Sequence, residues 1–70
     1  MKRIMIEPRD RDNVGQEVQR GIDLLRDAKI TLHAGTRAFS MFGVLFVGDT
    51  DSDAALGTLR AAGIKASISN

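Results

Sequence analysis

Seventy residues with no Cys, a single His and a formal net charge of +1 bound the chain to one small domain. A domain this short buries only about 60% of its unfolded surface, and without Cys it lacks disulfides, thiolate zinc sites and iron–sulfur clusters, which leaves self-association as the remaining staple. The charge is too small to call for a nucleic-acid or membrane partner, and the apolar content of 43% is ordinary for a globular chain.

Lys2 to Glu7 reads as a short strand around β-branched Ile4 and Ile6. Pro8 ends it, because proline has no amide hydrogen to give a ladder. Met1 to Glu7 carries charge and has no long apolar run, which argues against a signal peptide, and a cytoplasmic location is the expectation. Arg9 to Asn13 is a polar connection. Val14, Val18, Ile22 and Leu25 then recur at helical spacing, with Asp12 or Asn13 expected to cap the helix. Gly15 and Gly21 weaken it by about 1 kcal/mol each relative to alanine, but small residues also permit close approach to a sheet.

Ile30, Leu32 and Ala34 alternate with Thr31 and His33, the period of a half-buried strand. Gly35 marks a bulge or bend. Met41 to Val47 is apolar at nearly every position, which predicts a central strand covered on both faces; it is far too short to span a membrane. After a turn at Gly48 to Asp51, Asp51 or Ser52 caps a second helix with the stripe Ala55, Leu59 and Ala62. Gly63 closes that helix in a left-handed conformation. Ile64, Ala66 and Ile68 alternate in a final strand. Strand–helix–strand units connect right-handed. Two of them interleaved give an α+β, ferredoxin-like βαββαβ sandwich over residues 1–70. Its four-stranded antiparallel sheet has the order 4-1-3-2 and both helices on one face. A second copy of the chain is the expected cover for the other face.

No enzymatic chemistry is expected. Asp49, Asp51 and Asp53 alternate like the start of a calcium loop, but Ala54 and Arg60 stand where that loop needs Gly and Glu; helix capping explains them. Glu7, Asp10 and Asp12 interleave with Arg9 and Arg11, which hold the carboxylates ionised. That loop precedes a helix N-terminus, whose free amides can hold a carboxylate or phosphate. His33 has no Ser or Cys partner and is expected at the surface or an interface. No nucleophile elbow, phosphate loop, metal set or cofactor motif is present. Ferredoxin-like sheets can stack RNA bases on aromatics, and Arg37 and Phe39 fit the start of such a motif. Met41 and Val44 replace its other aromatics and the first strand has none, so a nucleic-acid partner is not expected.

Several stretches carry a resemblance. Asp10-Arg11-Asp12-Asn13-Val14 stands where ACT domains, the small regulatory modules of amino-acid metabolism, have an Asp-Arg-Pro-Gly turn and an apolar residue. Ala28-Lys29-Ile30-Thr31-Leu32 stands where they have Ala-Gly-Ile-Asn-Ile, and Leu59 to Ile64 is similar to their second helix exit. The chain thus resembles an ACT domain over nearly all its length, with Asp12 and Asn13 replacing the Pro and Gly of the turn, and Lys29 and Thr31 replacing the later Gly and Asn. The resemblance implies an allosteric, amino-acid-binding module, homodimeric or larger, with its ligand between subunits. It implicates Arg11, Asp12, Asn13 and Val14 of one chain and Ile30 and Thr31 of another. The amides of Asn13 and Val14 would meet a ligand carboxylate and Asp12 an ammonium group. Any regulatory output would pass through a regulated enzyme or another chain. The alternative is a structural or protein-interaction subunit of the same fold with no ligand, and after it an RNA-binding domain.

Overall fold

The computed structural model describes residues 1–69, apart from the side chain of Arg11. Six elements follow in the order β1 (Lys2–Glu7), α1 (Val14–Asp27), β2 (Leu32–Ala38), β3 (Gly43–Val47), α2 (Ser52–Ala61) and β4 (Lys65–Ser69). All pairings are antiparallel, and the strands lie side by side as β2-β3-β1-β4. The two strands expected to be central, β1 and β3, are central. Side chains alternate across each strand. Ile4, Ile6, Leu45 and Val47 therefore point to one side, where they form a single buried cluster with Val14, Val18 and Leu25 of α1 and Ala55 and Leu59 of α2. Both helices thus cover the same face.

Close approach of α1 depends on two glycines, Gly21 on the helix's inner side and Gly43 on β3 beneath it. A Cβ at Gly21 would stand 3.0 Å from Ile6 Cδ1, and one at Gly43 would overlap Val18 Cγ2. A side chain at Gly43 would force a shift of α1 or β3, and one at Gly21 would press the Ile6 tip aside, so both glycines bring the helix close to the sheet.

The ends of the elements differ from expectation for local reasons. Asn13 stands at the N-cap position of α1 but makes no capping side-chain bond; the capping carboxylate is that of Asp10, not Asp12, at the start of the preceding turn. It accepts from the Asp12 amide (3.0 Å) and from Asn13 Nδ2 (2.9 Å), which holds residues 11–13 in a 3-10 turn leading into the helix. Likewise Asp51 stands at the start of α2 without a capping side-chain bond, while the nearly buried Ser52 donates its hydroxyl to the Asp49 carbonyl at 3.0 Å. Ile30, expected to open β2, precedes it. Lys29 adopts φ 61, and the amides of Lys29 and Ile30 return to the carbonyls of Arg26 and Leu25. This is the left-handed helix ending in which the following apolar residue packs back on the last turn; Ile30 is buried as that residue. Met41 is not in β3. It sits with Ser40 in the turn of the β2–β3 hairpin, closed by the Phe39 amide donating to the Phe42 carbonyl at 2.7 Å, and it is 54% exposed.

Three arginines converge on the exit of α2. Arg20 donates to the Ala62 carbonyl (3.0 Å), Arg9 to that of Gly63 (3.3 Å) and Arg60 to that of Ala66 (3.1 Å). The Ala62 and Gly63 carbonyls, at and just past the helix C-terminus, lack intrahelical donors and carry partial negative charge, which Arg20 and Arg9 satisfy; Ala66 lies in β4, so Arg60 ties the end of α2 to that strand. Among the described residues, no helix is long and apolar enough to cross a membrane.

Candidate functional site

The loop singled out by the ACT resemblance is internally occupied. Asp12 is exposed, and its amide is taken by Asp10. The Asn13 amide, expected to meet a ligand, donates to the Asp10 carbonyl at 3.0 Å. The Val14 side chain is buried in the core, and the Arg11 side chain lies outside the described residues. Ile30 is buried in the core too, while Thr31 is exposed. The two groups stand at opposite ends of α1, whose 14 residues span about 21 Å. One chain cannot bring them together; only two copies could.

The other side of the sheet presents a built surface that the sequence does not reveal as a site. Register fixes its rows. Ser69, Arg3, Phe46 and His33 stand opposite one another in one row, and Ser67, Met5, Val44 and Arg37 in the next. Residues directly opposite in a ladder share a face, and these two rows alternate with the core-facing row of Ile4, Leu45 and Ile68. His33 is thus outward, as expected. The result is a shallow basin of about 470 Å³ with Met5, Val44, Phe42 and Phe46 among its floor residues and Arg3 and Arg37 among its charged ones. Phe42 stacks on Phe39 across the hairpin turn, centroids 4.8 Å apart, which raises one wall. Gly35 sets another. It sits at φ +117, where a side chain would come 2.9 Å from the Phe46 ring. It also falls where the β2–β3 register shifts between His33 and Arg37, so the bulge read from this glycine is present.

Among the described residues lining this basin, the charged side chains are all positive. Arg3 donates to the hydroxyl of Ser69 at 3.0 Å, and neither Arg3 nor Arg37 pairs with a carboxylate among the described residues. Glu7 pairs with Lys65 at 3.2 Å, and Asp49 pairs with the ammonium of Met1, a residue at the basin's edge. That ammonium, through a hydrogen bond and its charge, holds the Asp49 carboxyl below its ordinary value near 3.8, with Lys2 adding to the effect. Among the described residues, no three His, Asp or Glu side chains gather to hold a metal ion.

Neither protein-family models, curated proteins nor solved structures give a match to the chain.

Proposed function

We propose that this chain is a non-catalytic binding module of the ferredoxin-like class, and that it binds an anion with an apolar body on the sheet face its helices leave open. One observation carries this reading: two guanidinium groups without carboxylate partners among the described residues stand at an apolar, aromatic floor. Floor and guanidinium groups together suit a ligand that is greasy in the middle and negative at its edge. The volume is that of an ordinary small-ligand site, and a guanidinium offers a planar fork to a carboxylate or phosphate. The ligand class that the ACT resemblance implies, an amino acid or similar small anion, belongs to this description in its carboxylate. A titration followed by amide NMR tests it, using amino acids, aryl carboxylates and mononucleotides in turn. Shifts concentrated at Met5, Val44 and Phe46, and weakened by Arg3→Gln and Arg37→Gln, are expected. A panel that moves no resonance on this face refutes the reading.

The ACT-like site between two copies is the second reading, favoured by one feature: Asp12 and Thr31 are both exposed, at opposite ends of α1. In the same titration it gives shifts at residues 10–14 and 30–31, together with a dependence on protein concentration.

A further inference from the structure

The spacing and sign of the charges on the open face narrow the ligand class, on the reading that this face is the binding surface. Arg3 lies on β1 and Arg37 on β2, two strand positions apart with β3 between them. Arg37 is also one same-face row further along, opposite Val44 and Met5 rather than Phe46 and Arg3. With strands about 4.8 Å apart and about 3.3 Å per residue, their Cα atoms are roughly 12 Å from each other. A single carboxylate at one guanidinium leaves the other unanswered. A ligand that satisfies both carries negative groups at intervals, and Phe46 stands between the two cations.

Two candidate occupants fit this pattern poorly. A free amino acid brings an ammonium group, and no carboxylate among the described residues of the basin is there to receive it. A second copy of the chain brings the same cations. In a two-fold interface both copies present the same patch, so the Arg3 and Arg37 of both copies, four guanidinium groups, would be gathered into one small interface. The face is also small. Four strands by five residues make a footprint of only roughly 19 by 17 Å, narrow for the roughly 20–30 residues a side that a standard interface uses.

We propose that the open face binds single-stranded nucleic acid, with a base against Phe46 and flanking phosphates on Arg3 and Arg37. Unstacked bases supply flat apolar faces, phosphates supply repeated charge, and aromatic stacking with guanidinium contacts is how single strands are held without sequence preference. A four-stranded sheet of this kind has room for two or three nucleotides. Phe39 alone stands at a position the linear motif requires; Phe46 on β3 and Phe42 in the hairpin wall do not, so a match along the sequence reveals the surface only in part.

The test is fluorescence anisotropy of the full chain with labelled octa-uridylate and octa-thymidylate, with amide NMR to locate the contact. Two phosphate contacts give a slope of log K against log salt of about −1.4, falling to about −0.7 in Arg37→Gln. Phe46→Ala weakens binding by about 5- to 100-fold, whereas Arg20→Gln on the helix side leaves it unchanged. Arg3→Gln and Arg37→Gln are surface changes that keep the test valid if Phe46→Ala unfolds. Three results overturn the proposal: no binding at low salt to millimolar protein, duplex DNA bound as tightly as single strands, or shifts at Met5 and Phe46 that follow protein concentration without added oligonucleotide. If oligonucleotides fail while small amphipathic anions still shift this face, only the nucleic-acid assignment falls; if both fail, the binding face falls with it.

Discussion

Replacing Gly43 with alanine measures how closely α1 is pressed onto β3. The added methyl group would overlap Val18 Cγ2, and its other close neighbour, the Arg37 carbonyl at 3.4 Å, belongs to the ladder. Val18 is itself buried in the core, so relief requires the helix to move. Overpacking of this kind costs about 1–3 kcal/mol. Domains of this size have roughly 4–10 kcal/mol in all, and each kcal/mol shifts Tm by about 4–8 °C. The assay is urea or thermal unfolding followed by far-UV circular dichroism, since the chain has no Trp or Tyr to report by fluorescence. Val18→Ala alone removes about 2 kcal/mol through lost burial and a cavity. In the double variant the methyl group introduced at position 43 occupies part of that cavity. The combined loss should therefore fall short of the sum by about 1 kcal/mol or more, within the coupling range of touching residues. Additive losses, or a Gly43→Ala protein as stable as the parent, would show that α1 does not sit where the glycine requires.

Three further outcomes follow from local features. Lys29→Gly should raise stability by about 0.5–1 kcal/mol, because Lys29 holds φ 61 at the helix end, where glycine carries no steric penalty; a lower urea midpoint would contradict this. Leu25→Ala, at a fully buried position, should cost about 2–5 kcal/mol, a large part of the total, and a loss under about 1 kcal/mol would mean the α1 stripe is not the core. Asp49 has its folded pKa lowered below the ordinary 3.8 by the Met1 ammonium. A depressed carboxylate pKa contributes stability above the unfolded value, and loses it as pH falls from about 3.8 through the folded value. Asp49→Asn should therefore flatten the acid limb of a stability–pH profile only below about pH 4, weakly and less so in high salt, because both partners are exposed; a change of slope near neutrality would assign the effect elsewhere.

Much of the fold is legible in the sequence because burial in a two-layer sandwich leaves a direct trace in hydrophobic period. The bounds of β1 can be read because Pro8 cannot continue a ladder, and β3 is recognisable as central because it is apolar on both sides. The start of β2 is misleading because Ile30 is buried for a different reason, as the residue closing α1, and apolar alternation cannot separate the two causes. The first cap is ambiguous by a few positions because Asp10, Asp12 and Asn13 are all competent acceptors, and only the path of the 3-10 turn selects Asp10. The open face follows from the sequence, but its chemistry does not. Arg3, Phe46 and Arg37 are distant along the chain and meet only through the registers of β1 with β3 and of β3 with β2. The one local signal is Arg37-Ala38-Phe39, and Met41 and Val44 hide it when it is measured against a linear motif.

The central claim is that the helices cover one side of the sheet and leave the other open for a ligand. A soluble paramagnetic agent, added to the free protein and then to the protein with octa-uridylate, reads this directly through the Met5 methyl and Phe46 ring signals. An open, ligand-binding face requires both signals to broaden in the free protein, at low and high concentration alike, and to regain intensity when the oligonucleotide is present. Signals already shielded in the free protein, or still broadened after the oligonucleotide is added, would contradict it.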